Sequence, residues 1–238
     1  MKPQVYARVG GALYLFIILA GIYGEVVVRA SLVVAGNPAA TAQKIIASEF
    51  LFRKGIVGDL LMHVCDVPLT LILYLLLRPV NQNLSLLAGL FSMLQTAILC
   101  ANKLNLVAVV LLLGNTGRID ARERDALVSL YLALHEYGFG IGLLFFGVSC
   151  LVVGSLIYRS QYLPRALGAL QLAAGVCYLV NSLALLLKPA LADALVPWIL
   201  LPAFVGELGT ALWLLTKGVD MRRWAGGLTQ ETELVNLL

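Results

Sequence analysis

Glu25 and Arg29, then Asp59, His63 and Asp66, then Asn102 and Lys103, then His135 and Glu136, and finally Asn181 and Glu207 all fall inside long apolar stretches of the chain. An ionisable side chain in hydrocarbon costs at least about 2.5–3.5 kcal/mol on insertion scales, so each is by default a candidate for function. At about 100° per residue, positions i, i+4 and i+7 lie within about 60° of one another, which puts Asp59, His63 and Asp66 on one helix face. Two carboxylates and an imidazole in one stripe could hold a metal, relay protons or do acid–base chemistry, or pair with Arg29 and Lys103. With His135 and Glu136 they form the catalytic candidates. Glu25, Arg29, Asn102, Lys103, Asn181 and Glu207 are the candidates for binding a substrate or pairing charge. A divalent metal could sit at Asp59, His63 and His135, and the two histidines could ligate a b-type haem.

Each reading has a structural rival. Glu25 and Arg29, four residues apart, could be an intrahelical ion pair; Lys103 and Glu136 could bridge two helices; the histidines could be hydrogen-bonded packing. Depth argues for a site. At about 1.5 Å per residue, most of these groups fall between the midplane and the side bearing the first, third and fifth connections, with Asp66 and Glu207 near the middle. This predicts one polar cavity opening to that side. Glu25, Asp59, Asp66, Glu136 and Glu207 against Arg29 and Lys103 would leave such a cavity negative, so a proton, water or a bound cation would have to compensate.

The elements that must position these residues follow from composition. The 238 residues are 61% hydrophobic and only 13% charged, with a mean hydropathy of +0.92, against roughly 45–50% and 25% for a soluble domain. A helix needs about 20 apolar residues to cross the bilayer, and six stretches qualify: 9–34, 56–77, 84–113, 126–158, 166–187 and 194–215. The expected fold is therefore all-α, a polytopic membrane bundle of about six transmembrane helices forming a single domain over residues 1–238, with 218–238 as a short polar tail. The first apolar run is too long for a signal peptide and is expected to stay attached.

Asn37-Pro38 is a helix-start signature. It predicts a short interfacial helix over 39–52, with Ile45, Ile46, Phe50 and Leu51 on its apolar face. Asp120 is placed to cap a charged lead-in to the fourth span. Gly114-Asn115-Thr116-Gly117 and Pro79-Val80-Asn81 read as loops. The net charge of +4 comes from Lys and Arg in loops and at helix ends, where topology and lipid head groups account for them, so membrane lipids are the expected partners and nucleic acid is not. Cys65, Cys100, Cys150 and Cys177 lie in different apolar runs and read as small buried hydrophobes. Gly138, Gly140 and Gly142 would permit close contact within the bundle, with a second copy or with a membrane partner.

Arg8 with Gly11, Tyr14-Leu15 and Gly21, then Val28-Arg29-xx-Leu32-Val33, Ala39-Ala40-Thr41-Ala42, Ile45-xx-Ser48 and Phe52-Arg53-xxxxx-Asp59-Leu60 resemble a bacterial integral membrane family known as domain of unknown function 4386. The resemblance covers most of the chain and is strongest through Pro79. It implies a compact multi-span helical bundle in a bacterial cytoplasmic (inner) membrane. Six spans put both termini on one side, expected to be cytoplasmic. Its recurring charged positions carry over as Arg29, Arg53 and Asp59, and it supplies no substrate or mechanism.

Three classes of function remain open on these grounds. The first is an intramembrane enzyme using acid–base or metal-assisted chemistry on a lipid-like substrate. The second is a proton- or cation-coupled small transporter or channel, for which no internal repeat is visible. The third is a non-catalytic assembly or accessory subunit whose buried charges only fix helix register.

Overall fold

Backbone N–H and C=O groups in hydrocarbon must be bonded within the chain, so long apolar runs fold as helices. In a computed structural model the described residues, 3–114 and 119–226, form no strand. The helices are α1 (Pro3–Leu32), α2 (Pro38–Ala47), α3 (Glu49–Leu77), α4 (Gln82–Gly114), α5 (Ala121–Arg159), α6 (Arg165–Leu187) and α7 (Pro189–Thr216). Five of them, α1 and α3 to α6, together with Trp198–Thr216 of α7, are long and apolar enough to cross a membrane. The protein is a multi-pass, all-α membrane protein, as its composition requires.

Capping fixes several boundaries. Asn37 Oδ1 accepts from Ala40 N at 3.0 Å with Pro38 at the first helical position, and Asp120 Oδ2 accepts from Arg122 N at 3.1 Å to start α5. Asn81 Oδ1 likewise accepts from Leu84 N at 2.8 Å at the head of α4. The short helix expected after the first span, α2, differs from its expected extent. It stops at Ala47 because Ser48 leaves helical geometry (φ −129°, ψ 35°). Phe50 and Leu51 therefore belong to α3, and the buried face of α2 is Thr41, Ala42 and Ile45, with Ile46 exposed. Residues 115–117 of the expected loop and 227–238 of the expected tail lie outside the described residues. All four cysteines are free thiols, and Cys150 alone of them is fully buried.

The chain divides into two compact units. Unit one comprises the described parts of Met1–Leu15, Cys65–Thr96 and Gly140–Leu238. Its core includes Leu76, Leu77, Leu156, Ile157 and Leu214. Within it α5 and α6 meet through glycines: Gly147 faces Gly175 and Gly154 faces Gly168, seven residues apart on both helices and in antiparallel register. Small residues at such a seam let two membrane helices approach to backbone contact. The last carbonyls of α3 are also satisfied here. Tyr162 Oη donates to Leu76 O at 2.7 Å and Trp224 Nε1 to the same oxygen at 3.1 Å, and burial of Tyr162 pushes its hydroxyl pKa upward.

Unit two comprises Phe16–Val64 and Ala97–Phe139. Val28, Ile45, Phe52, Leu106, Val109 and Val128 form its core, so α2 is packed into it through Ile45. Tyr23–Arg29 of α1 is a π-helix. Such wide turns recur at functional sites, and the β-branched run Val26, Val27 and Val28 is poorly accommodated by regular α-helix.

Candidate functional site

The π-helical turn of α1 carries Gly24, Glu25 and Arg29; Gly24 and Arg29 bear on the carboxylate of Asp59, and Glu25 pairs with Arg29. Asp59 of α3 is 0% exposed. Its Oδ2 accepts from Arg29 Nη1 at 2.7 Å and from Lys103 Nζ of α4 at 2.8 Å. Its other oxygen, Oδ1, is buried and has no hydrogen-bond partner among the described residues. Arg29 Nε also donates to Glu25 Oε2 at 2.7 Å. Four alternating charges thus run Glu25, Arg29, Asp59, Lys103. The two ends differ: the Lys103 side chain is 4% exposed and that of Glu25 is 69%.

Gly24 makes this approach possible. A Cβ built on it would lie 2.3 Å from Asp59 Oδ1 and 3.2 Å from Arg29 Nη2. Asp59 therefore sits against bare backbone.

A second polar group lies in the same unit. Asn102 Nδ2 donates to His135 O at 2.8 Å, Asn105 Nδ2 donates to Asn102 Oδ1 at 2.8 Å, and Asn102 Nδ2 approaches His135 Nδ1 at 3.0 Å. The carbonyl can only accept, so the amide orientation is fixed, Nδ1 of His135 is the acceptor and its neutral ring carries hydrogen on Nε2. Gly138 gives Asn102 room, since a Cβ there would meet Asn102 Oδ1 at 2.2 Å. His63, one turn beyond Asp59 on α3, is buried at 1% exposure.

Of the residues expected in one cavity, unit two therefore holds Glu25, Arg29, Asp59, His63, Asn102, Lys103, His135 and Glu136, and unit one holds Asp66, Asn181 and Glu207. Of the five acids counted in that cavity, Asp59 is buried and Asp66 and Glu207 are half-buried. Glu25 and Glu136 are exposed, because those positions lie on outward faces of helices that are apolar all round. Within unit two the ion cluster itself is balanced: Arg29 and Lys103 share the buried carboxylate of Asp59, and Glu25 pairs with Arg29 from its exposed position. Among the described residues no group of three or more His, Cys, Asp and Glu is gathered so as to hold a metal ion. Asp59 and His135, two of the three residues weighed for a metal, are turned to Arg29, Lys103 and Asn102 instead.

Sequence reasoning missed the surroundings of Glu207. Tyr178 Oη donates to Glu207 Oε1, and Gln171 Nε2 donates to Tyr14 Oη at 3.3 Å and to Thr210 Oγ1 at 3.4 Å. Gln171 and Tyr178 are seven residues apart in an apolar run, and that polar spacing was the available signal.

A family described as "Domain of unknown function (DUF4386)" matches residues 9–218. An "Uncharacterized protein" of Archaeoglobus fulgidus is 31% identical over 163 residues, covering 68% of this chain and 83% of the relative. No solved structure matches the chain.

Proposed function

Since the chain belongs to the family described as domain of unknown function DUF4386, a description that assigns no chemistry, we propose from the geometry of unit two that it binds the anionic head group of a lipid-like molecule at Arg29 and Lys103. One observation carries this reading. Both cations donate to the same oxygen of Asp59, so inside the bundle they share one carboxylate, and the charge balance is completed by Glu25, paired to Arg29 at 2.7 Å from an exposed position. Like charges held on one oxygen repel, and a low-dielectric surrounding magnifies the repulsion. A phosphomonoester or carboxylate drawn to the pair relieves it.

Donor capacity supports the same reading. Lys has three N–H donors and Arg five. Among the described residues Lys103 makes one side-chain hydrogen bond and Arg29 makes two. The planar guanidinium suits two oxygens of a phosphate at once. Val26, Val27, Val57, Leu61, Val64 and Leu104 of unit two are exposed apolar residues, a surface suited to an acyl or isoprenoid chain.

Thermal unfolding of the full chain in detergent tests the reading. A phosphatidic acid should raise the midpoint with the logarithm of its concentration above Kd, reaching about 2.7 kcal/mol of added stability at 100 times its Kd, and Lys103→Met should abolish the rise. An equal rise with phosphatidylcholine, or an undiminished one in Lys103→Met, would remove the charge-based reading.

A further inference from the structure

Unit one contains a polar centre that the network around Asp59 does not use. On α6, Gln171, Tyr178 and Ser182 recur at spacings of seven and four and share one face, exposed by 2%, 9% and 0%. From Gln171 to Ser182 this face covers about 16 Å at 1.5 Å per residue, roughly half of a 30 Å hydrocarbon layer. Tyr178 Oη donates to Glu207 Oε1. Gln171 Nε2 reaches Tyr14 Oη and Thr210 Oγ1, and Thr210 lies one turn beyond Glu207 on α7.

Three buried polar atoms of α6, Gln171 Oε1, Asn181 Oδ1 and Ser182 Oγ, have no hydrogen-bond partner among the described residues. Buried polar atoms are almost always bonded, and three orphans along one helix call for a mobile species that can satisfy them. Glu207 supplies the charge that would attract one. It forms no ion pair among the described residues, and the groups near enough to act on it electrostatically are Asp66 of α3, Tyr14 of α1, Cys150 of α5 and Tyr178 of α6, all acids or neutral hydroxyls and thiols. An ionised carboxylate without a counter-charge in such surroundings is costly. No metal-holding group of acids, histidines and cysteines occurs among the described residues, and a proton removes the charge of Glu207 with no further ligand.

We propose that this centre is a proton-binding site, with the proton on Oε2 of Glu207, Tyr178 holding the Oε1 side, and the polar face of α6 as the path by which the proton exchanges. The assignment goes beyond head-group binding in unit two and stands whether or not that reading does. It gives unit one a function of its own, uptake and release of a proton within the membrane.

Dicyclohexylcarbodiimide tests it on the detergent-purified full chain. The reagent is apolar, and a protonated carboxyl adds across one of its C=N bonds: the proton goes to nitrogen and the carboxyl oxygen to carbon, and the adduct rearranges to a stable N-acylurea without any oxidant or reductant. Peptide mass spectrometry should find one reagent mass on Glu207, added more slowly as pH rises because only the protonated acid reacts. Glu207→Gln should lose the adduct. Tyr178→Phe, checked as monodisperse, should keep it, since Tyr178 positions the carboxyl and does not carry the proton. An unlabelled Glu207 in the monodisperse wild-type chain, labelling at Asp66 in its place, or a rate independent of pH would overturn the proposal. Sodium that slows labelling at fixed pH would also overturn it and give the site to a sodium ion.

Discussion

Replacing Asp59 by Asn is expected to destabilise the protein by about 3–5 kcal/mol, the usual cost of removing one partner from a buried ion pair. The change is nearly isosteric, so the loss is electrostatic. Asp59 is 0% exposed, and the amide would face Arg29 Nη1 and Lys103 Nζ, which now lie 2.7 and 2.8 Å from its carboxylate. Lys103 would be left worse placed than Arg29, which keeps Glu25. Adding Lys103→Met to Asp59→Asn should therefore recover a large part of the loss, because it removes the stranded charge. Denaturant titration of the wild type and the three variants in one detergent gives the coupling directly. A cost for Asp59→Asn within about 0.5 kcal/mol, the range of ordinary surface changes, would contradict the buried network.

Gly24→Ala is the second large effect, through packing instead of charge. Its Cβ would fall 2.3 Å from Asp59 Oδ1, and that carboxylate cannot retreat without leaving its cations. Overpacking of this kind costs about 1–3 kcal/mol. Gly21→Ala, three residues earlier in α1, is the control. There the nearest atom is Met62 Sδ at 3.5 Å, an ordinary contact, and exchanging a helical Gly for Ala should be neutral or stabilising by roughly 0.5–1 kcal/mol. Equal midpoints for the two variants would mean that Gly24 does not seat Asp59.

Much of the architecture was legible because it rests on local signals. Six long apolar runs mark six membrane helices, Asn37-Pro38 and Asp120 mark two helix starts, and the four-residue spacing of Glu25 and Arg29 foretold their ion pair. The break at Ser48 was not legible, since apolar residues continue on both sides of it. Exposure of Glu25 and Glu136 was hidden for a related reason: where a helix is apolar all round, periodicity does not separate the face toward lipid from the face toward protein. The meeting of Arg29 and Lys103 on one oxygen of Asp59 is tertiary, joining residues 30 and 44 positions apart, and no local pattern encodes it. The π-helical turn that brings Gly24 and Arg29 to Asp59 leaves only the weak trace of a glycine and, after Glu25, three valines.

Native mass spectrometry of the detergent-released protein, titrated with phosphatidic acid and phosphatidylcholine of matched acyl chains, tests head-group binding in unit two most directly. The account predicts retention of the anionic lipid by the wild type, little retention of the zwitterionic one, and loss of that preference in Lys103→Met and in Arg29→Gln. Equal retention of both lipids, or a preference that survives both substitutions, would contradict it.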